Sequence, residues 1–414
     1  MKSSTKKGLL LIGGIGGLLL LLAAAMAVVQ FFRVKDTLEE ITQPSVPIRE
    51  LGVYVLEDDP AQELKDTAGY SYGALKDEEG LTLLGQALGE EPAWEEYPTA
   101  FALADALRKG ECRAVLLEEA YQRSISDARG YEWTETGMRK VGSLQVEKEE
   151  MVSLATPEGE QESFLLYLSG NDTFGDVSTL SRSDVNILAA VNIRTKKMTL
   201  VATPRDFYVS FSQTGGAKDK LTHAGIYGVE ASVDALENLY GLDISYYLRM
   251  NFTGFVEVVD ALGGVSVYSD REFTVENIRT YEEGYNQLTG IEALAFARER
   301  MSFPEGDYQR AKNQMEVIRA VAEKASSPAL LENLSKVLDA VEGNFQTNLP
   351  RDQILALAPA LAGDWEISSY TTSGWSDYRE TYSMPGAELY VILPDEASVE
   401  EAASLLKETL EGEE

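Results

Sequence analysis

The sequence predicts an α/β protein in which a central mixed β-sheet is flanked by helices. Three apolar runs, at residues 164–168, 185–193 and 198–204, are typical of buried strands. Further along the chain, helical patterns at 229–241 and 255–264 alternate with short apolar strands. This alternation is typical of a sheet that is covered by helices on both faces.

The 414-residue chain divides into several predicted segments. They are a short tail at 1–7, an apolar anchor at 8–32, a stem at 33–49, a small accessory α/β domain at 50–150 and the main α/β domain at 151–414. The stem contains prolines and few apolar residues. The accessory segment is strongly acidic and carries no concentrated set of catalytic residue types, so a spacer or docking module is the favoured interpretation.

The apolar segment at residues 8–32 carries no charged side chain. A bilayer core requires roughly 20 apolar helical residues, which predicts a transmembrane helix. Lys2, Lys6 and Lys7 precede the segment, so the positive-inside rule predicts a cytoplasmic N-terminus and an extracellular main domain. A cleaved signal peptide is the alternative, with a small-residue site at 23–27, but its apolar core spans about 7–15 residues. An uncleaved signal-anchor in the cell membrane is therefore preferred.

Composition excludes several classes of function. The net charge of −32 argues against a nucleic-acid partner, because a phosphate backbone requires a basic face. Cys112 is the single cysteine, so an intrachain disulfide is excluded. His223 is the single histidine, which excludes a multi-histidine metal site and makes a Ser/His/Asp triad a poor candidate.

Charged side chains stand at the ends of the three predicted strands. They are Asp172, Arg182, Asp184, Arg205 and Asp206. Asp172 follows the first strand and Asp184 enters the second, so both carboxylates reach one point if these strands are neighbours. Two hard oxygen ligands of this kind suit Mg²⁺. Turn formation is the competing interpretation for isolated aspartates, and a simple salt bridge to Arg205 explains Asp206.

A second charged cluster lies at residues 296–314. Its members are Arg298, Arg300, Asp307, Arg310 and Gln314. Arg310 and Gln314 are four residues apart on one predicted helix face, with Asp307 one turn earlier. Arg298 and Arg300 converge only if their helix ends there, and the proline and glycine that follow favour an early end. Arginine suits bidentate phosphate binding, although a salt-bridged surface is the competing interpretation.

Five motifs together resemble the LytR-CpsA-Psr family of cell-wall ligases. They are SGNDTFGDVSTLSRSDV, TPRDFYV, KDKLTHAGIYG, YLRMNFTGFVEVVDALGGV and the stretch from AFARER to GDYQR. They follow one another in family order over residues 160–325, and the anchor with its extra domain resembles the capsule-type branch. One departure is Asn171, which stands where the family commonly has an aliphatic residue before Asp172.

The resemblance implies a transfer reaction in cell-wall biogenesis at the outer face of a Gram-positive type membrane. The enzyme would be an Mg²⁺-dependent phosphotransferase, with Mn²⁺ as the alternative ion. It would move a glycopolymer from a polyprenyl-pyrophosphate carrier to the muramic acid 6-hydroxyl of peptidoglycan. Polyprenyl phosphate would be released, and the lipid tail would need an apolar slot between the sheet and the helices. The sequence does not distinguish teichoic acid, capsule or another polymer as the glycopolymer.

The resemblance also implies roles for individual residues. Asp172 and Asp184 would hold the metal. The arginines Arg182, Arg205, Arg298, Arg300 and Arg310 would clamp the pyrophosphate, and Gln314 would help to fix one of them. Asp307 would be the general base or a helix N-cap, and the two roles are equally supported. For His223 a hydrogen-bonded structural role is preferred over a catalytic one.

Two alternatives to the ligase remain open at the level of sequence. One is a hydrolase that cleaves the same polyprenyl pyrophosphate with water. The other is a non-catalytic envelope regulator that binds lipid-linked intermediates. The full set of arginines and aspartates argues against the regulator. The ligase and the hydrolase need the same clamp and metal, so the sequence does not separate them.

Overall fold

The computed structural model describes residues 33–43, 46–148, 154, 156–171, 173–325, 333–354 and 365–412. The predicted tail and transmembrane anchor and the side chain of Asp172 lie outside the described residues. A helix over residues 33–42 opens the described part of the chain. No helix within the ranges given above is long and apolar enough to cross a membrane.

The first sheet has five strands in the spatial order β3-β2-β4-β1-β5. The strands are β1 (Ile48–Leu56), β2 (Ser71–Ala74), β3 (Ala93–Glu96), β4 (Ala114–Glu118) and β5 (Met138–Glu147). The helices are α1 (Glu78–Leu88), α2 (Ala100–Lys109), α3 (Glu119–Ile125) and the short α4 (Thr134–Gly137). Strand β2 runs parallel to β3 and β4, whereas β1 is antiparallel to β4 and β5. The sheet lies almost wholly within the segment predicted as an accessory domain.

Helix α2 shows how local sequence sets the boundaries in this unit. Thr99 accepts a hydrogen bond from the backbone N–H of Ala102 and so caps the N-terminus. Gly110 ends the helix at a φ of 72°, in the left-handed region that glycine favours. The buried face of α2 packs in a cluster that also contains Met384 and Leu389 from the far end of the chain. The first sheet is therefore joined to the C-terminal part of the protein by apolar contacts.

The central sheet has six strands in the order β16-β11-β6-β7-β8-β17. They are β6 (Ser163–Asn171), β7 (Ser183–Asn192), β8 (Lys197–Ala202), β11 (Tyr246–Met250), β16 (Phe345–Thr347) and β17 (Glu366–Thr371). Strands β6, β7 and β8 are antiparallel neighbours, while β11 and β17 are added in parallel at either side. The sheet is mixed, and its first three strands confirm the three predicted apolar strands.

Helices cover both faces of the central sheet, which explains why its inner strands β6, β7 and β8 contain nearly continuous apolar runs. The helices are α5 (Leu221–Tyr227), α6 (Val229–Tyr240), α7 (Phe252–Ala261), α8 (Gly290–Arg298), α9 (Asp307–Ala325), α10 (Leu334–Val341) and α11 (Glu396–Glu411). Leu188 packs with α6 and α11 on one face. The next residue along the strand, Ile187, packs with α9 on the other. The α/β architecture with flanking helices agrees with the predicted fold class.

Shorter strands form four two-stranded sheets around this core. They are β9 (Tyr208–Ser210) with β10 (Lys218–Lys220), β12 (Val265–Ser269) with β15 (Gly284–Leu288), β13 (Phe273–Val275) with β14 (Arg279–Tyr281), and β18 (Gly374–Glu380) with β19 (Glu388–Pro394). Backbone hydrogen bonds also join the two larger units, from Ile48 to the carbonyl of Ser178 and from Leu180 to the carbonyl of Ile48. These bonds bring the loop between β6 and β7 alongside the first strand of the first sheet.

Candidate functional site

A β-bulge sets the direction of Asp184. Gly170 on β6 is opposite Val185 on β7, but the next residue, Asn171, is opposite Ser183. Asp184 is therefore the extra residue of the bulge, and bulges of this kind redirect one side chain. A Cβ atom on Gly170 would lie 2.8 Å from the Cβ of Val185, so the close approach of the two strands requires glycine. Asp172 directly follows Asn171, although its own placement is outside the described residues.

The Asp184 carboxylate accepts hydrogen bonds from two neighbours. Arg205 Nη1 donates to Oδ1 at 3.0 Å and to Oδ2 at 2.9 Å, and Thr222 Oγ1 donates to Oδ1 at 3.1 Å. Burial alone would raise the pKa of Asp184, but the guanidiniums of Arg205, Arg182 and Arg310 more than offset this effect. They hold the pKa well below its usual range, so the carboxylate stays ionised at neutral pH.

Asp206 forms a second buried ion pair, and its closest partner differs from the one expected from sequence. Lys220 Nζ lies 2.5 Å from Oδ1 of Asp206, whereas Arg205 Nε lies 3.6 Å from Oδ2. Lys220 and Asp206 are each only 2% exposed. Burial raises the pKa of Asp206. Lys220 and, to a smaller extent, Arg205 lower the pKa by more than burial raises it, so it lies below its usual range. The salt bridge to Arg205 alone is therefore an incomplete explanation of Asp206.

A cavity of about 320 Å³ lies between the central sheet and helices α7, α8 and α9. Apolar side chains make up most of its lining: Leu168, Val185, Leu248, Phe252, Phe255, Val258, Val259, Leu294, Ala297, Val317, Ile318, Val321 and Ala322. Two of the predicted site residues, Arg298 and Gln314, also line it. This apolar cavity occupies the position in which sequence analysis expects an apolar slot.

A second cavity, of about 650 Å³, is lined by charged, polar and apolar side chains, and we call it the polar cavity for its charged residues. Its charged and hydroxyl-bearing residues include Asp127, Arg205, Asp206, Lys220, Arg300 and Tyr308. Asp184 connects the linings of the two cavities: its chain neighbour Val185 lines the apolar cavity, and its hydrogen-bond partner Arg205 lines the polar cavity. The arrangement runs from an apolar compartment through a charged cluster to a polar compartment.

Helix α8 ends at Arg298, and Glu299 adopts an extended conformation. The predicted early end is therefore confirmed. It sends the two arginines to different compartments: Arg298 lies 4.4 Å above the ring of Phe252 beside the apolar cavity, and Arg300 lines the polar cavity. Arg298 and Arg300 therefore line different cavities, and their convergence on one ligand stays a prediction.

Helix α9 contributes residues to both cavities. Tyr308 near its start lines the polar cavity, and Gln314 lines the apolar cavity. Arg310 is buried between them and is one of the cations that lower the pKa of Asp184. Asp307 is the first residue of α9. The structure thus brings together Arg182, Asp184, Arg205 and Arg310. Arg298 and Gln314 line the apolar cavity, and Arg300 lines the polar cavity.

Arg182 is held by helix α3 and the loop that follows it, a contact that the sequence did not predict. Arg182 Nη1 donates to the backbone carbonyl of Arg123 at 3.2 Å and to Asp127 Oδ2 at 3.2 Å. Lys220 Nζ lies 3.9 Å from the same carboxylate oxygen. No sequence pattern pairs Asp127 with these residues. Lys220 had a visible signal, because it lies within the motif KDKLTHAGIYG that carried part of the family resemblance.

His223 has a structural position. Its Nδ1 lies 2.6 Å from Oδ1 of Asp219, and both side chains are fully buried. Asp219 also accepts a hydrogen bond from the backbone N–H of Ser383 at 2.8 Å. His223 lines neither the apolar nor the polar cavity. The geometry agrees with the preferred structural role.

The donor groups of the site determine whether it fits a metal ion. Among the residues that the structure describes, no group of three or more His, Cys, Asp or Glu side chains is arranged to hold a metal ion. Asp172 lies outside this set. An ionised carboxylate offers about four lone-pair sites, and the hydrogen bonds to Asp184 occupy three of them. Asp184 therefore fits the role of one hard oxygen ligand, which is the donor type that Mg²⁺ prefers.

Comparisons with known proteins agree with this architecture. Teichoic acid transferase TagU of Bacillus mycoides (strain KBAB4), in full a polyisoprenyl-teichoic acid–peptidoglycan teichoic acid transferase, is 37% identical over 196 residues. The match covers 47% of this chain and 63% of that relative's length. The crystal structure of Bacillus subtilis TagV is 25% identical with a TM-score of 0.52, covering 61% of this chain and 99% of that one. A structure of TagT bound to LIIa-WTA is 26% identical with a TM-score of 0.50, covering 61% and 92% respectively.

The family model of the LytR_cpsA_psr family matches residues 131–400, which is more than half of the chain. The matched region contains the central sheet, the apolar cavity and all the predicted site residues. It begins after α3 and excludes most of the first sheet. The chain belongs to the LytR_cpsA_psr family.

Proposed function

We propose that the protein is a phosphotransferase that moves a glycopolymer from a polyprenyl-pyrophosphate carrier to the muramic acid 6-hydroxyl of peptidoglycan. One observation carries the proposal: the charged cluster around Asp184 adjoins both an apolar cavity and a polar one. A polyprenyl-pyrophosphate carrier contains an apolar chain, a pyrophosphate and a sugar in that order, which matches the apolar cavity, the charged cluster and the polar cavity. The name of the TagU relative, a teichoic acid–peptidoglycan transferase, supports the same class of reaction.

In this proposal the two cavities receive the two ends of the carrier. The polyprenyl chain enters the apolar cavity, where burial of its hydrocarbon surface provides the binding energy. The sugar and the incoming hydroxyl occupy the polar cavity beside Arg300 and Tyr308. The pyrophosphate then lies at the Asp184 cluster, where guanidiniums neutralise its oxygens by bidentate hydrogen bonds.

The residues around Asp184 divide the work of phosphoryl transfer. Arg182, Arg205 and Arg310 stabilise the charge that spreads over the phosphoryl oxygens in the transition state. Asp184 fixes Arg205 and remains ionised, which suits a ligand of Mg²⁺ with Asp172 as its partner. When bound, Mg²⁺ would supply further neutralisation of the pyrophosphate. Arg298 and Gln314 border the apolar cavity and orient the end of the pyrophosphate that bears the lipid.

The proposed step conserves atoms and charge. The muramic 6-hydroxyl oxygen bonds to the phosphorus that bears the sugar, and the bond from that phosphorus to the bridging oxygen breaks. Polyprenyl phosphate leaves, and the hydroxyl proton passes to a base. Asp307 is proposed as that base, because its neighbours Gly306 and Tyr308 line the polar cavity.

We also propose that residues 8–32 anchor the protein in the cell membrane, with the remaining chain at the outer face. This orientation brings the apolar cavity to the side on which a lipid-linked glycopolymer is consumed. Two experiments test this orientation: fusion of the C-terminus to a reporter enzyme that is active only outside the cytoplasm, and proteolysis of intact protoplasts. Protection of the C-terminal reporter from external protease would contradict the orientation.

Incubation of the full chain with a lipid-linked oligosaccharide, Mg²⁺ and uncrosslinked glycan strands tests the reaction. A phosphodiester-linked sugar on the glycan, with polyprenyl phosphate released, is the expected product. Free phosphorylated sugar without glycan product would instead identify a hydrolase. Binding of the lipid without either product would identify a non-catalytic regulator.

Filling the apolar cavity is expected to remove lipid binding selectively. Ala322 lines the cavity on α9, and Ala322→Trp places an indole where the chain is proposed to lie. We expect a loss of about 10-fold or more in affinity for a long polyprenyl pyrophosphate, with inorganic pyrophosphate bound as before. Ala93→Trp, on the exposed strand β3, is the matched control. Equal loss for both ligands would contradict a lipid role for the cavity.

A further inference from the structure

A loop from the first sheet unit reaches the polar cavity. It follows α3 and is fixed to the rest of the protein by several contacts. Arg129 lies 3.6 Å above the ring of Tyr378, and Ala128 forms a β-bridge with Leu389. Between the anchored positions and α3, Asp127 lines the polar cavity. The loop is therefore an integral wall of the candidate site.

Asp127 is placed against two cations of that site. Its Oδ2 atom accepts a hydrogen bond from Arg182 Nη1 at 3.2 Å and lies 3.9 Å from Lys220 Nζ. The same Arg182 nitrogen donates to the carbonyl of Arg123 in the last turn of α3. Carbonyls at a helix C-terminus carry partial negative charge, so the Arg123 carbonyl adds to the negative groups that hold Arg182.

The charges of the site make this contact consequential. Asp184 is the carboxylate partner of Arg205, and Asp206 is the closest carboxylate to Lys220. Asp127 adds a third carboxylate, which engages Arg182 from the side of the polar cavity. Asp127 is 23% exposed at its side chain and lines the polar cavity, so its carboxylate is accessible from that cavity. An anionic ligand at this cluster meets a negative group already bound to one of its cations.

We propose that Asp127 is a built-in competitor anion that lowers the affinity of the cluster for pyrophosphate. The accessory unit thereby sets the strength with which the site holds its anionic substrate and releases its anionic product. Asp127 lies outside the region matched by the family model, which begins at residue 131. The identity of the substrate rests on the proposed function, whereas the competition itself concerns only the affinity of the cluster for an anion.

Calorimetric titration of the full chain with inorganic pyrophosphate tests the inference. Asp127→Asn keeps the shape of the side chain and removes its charge, so we expect binding about 3–10-fold tighter than in the unaltered protein. Because a repulsive charge is lost, the affinity of the variant should also fall more steeply with added salt. Asp127→Glu, which retains the charge, should bind as the unaltered protein does.

Asp105→Asn is the matched control, since Asp105 belongs to the same unit and accepts a hydrogen bond from Tyr131 at 3.4 Å outside the polar cavity. It should leave pyrophosphate affinity unchanged. Equal or weaker pyrophosphate binding by Asp127→Asn, in a protein that retains its unfolding midpoint, would overturn the inference. If that variant still transfers the glycopolymer, the proposed function is unaffected by this result. No pyrophosphate binding by any of these proteins would overturn both.

Discussion

Replacement of Asp184 by asparagine is expected to reduce glycopolymer transfer by at least about 1000-fold. The carboxylate accepts both hydrogen bonds from Arg205 and one from Thr222, and it is the residue that the β-bulge aims into the cluster. Asparagine occupies the same volume, but it removes the negative charge that balances the surrounding guanidiniums. It also removes the proposed ligand of Mg²⁺. The initial rate of transfer from a lipid-linked oligosaccharide measures the effect.

The control for Asp184→Asn is an aspartate substitution on the same domain, away from the site. Asp243 is an exposed aspartate between α6 and β11, and Asp243→Asn should retain full activity. The circular dichroism spectrum of both variants should match that of the unaltered protein. Substantial transfer by Asp184→Asn would remove Asp184 from the catalytic assignment, and the charged cluster would then need another explanation.

Much of this site could be predicted because its residues follow strong local patterns. The run at 185–193 is apolar enough to identify β7 in isolation, and the neighbouring order of β6 and β7 then brings their ends together. Helical spacing likewise placed Arg310 and Gln314 on one face of α9. These features depend on neighbours in sequence or on one pairing of strands. The position of the apolar cavity was instead expected from the family resemblance, which implied an apolar slot between the sheet and the helices.

The remaining features depend on contacts between distant segments. The bulge at Asp184 arises from a one-residue change in register between β6 and β7, which periodicity does not report. Lys220 meets Asp206 because β10 pairs with β9, which places Lys220 opposite Tyr208, two residues after Asp206. Asp127, in the loop after α3, meets Arg182, which lies just before β7. Arg298 and Arg300 looked like members of one cluster, but the end of α8 between them sends each to a different cavity. Local sequence patterns do not predict contacts between such distant segments.

Loss of the Lys220 ammonium is expected to lower the free energy of unfolding by about 3 kcal/mol. Removal of one partner from a buried ion pair typically costs about 3–5 kcal/mol, because the other charge is left without compensation. Arg205 Nε at 3.6 Å retains part of that compensation for Asp206, so the lower end applies. Lys220→Met preserves most of the side-chain volume. Urea unfolding followed by tryptophan fluorescence measures the change, and Lys336→Met on the exposed surface of α10 is the control.

A double-mutant cycle separates the ion pair from simple loss of packing. Asp206→Asn and Lys220→Met should each destabilise the protein, and the combined variant should lose less than the sum of the two. Additive losses would show that the two side chains are not energetically coupled, despite their separation of 2.5 Å.

The same pair makes a prediction about pH with a definite sign. The pKa of Asp206 in the folded protein is held below the value of about 3.9 that an unfolded chain has. A depressed pKa contributes stability that is fully present above the unfolded value and is lost as pH falls through the folded one. Lys220→Met weakens the depression, so the stability difference from the unaltered protein should be full at pH 7 and narrow below about pH 4. A difference that stays constant down to pH 2 would mean that the cost arises from packing, and Lys220 would then not be the cation that keeps Asp206 ionised.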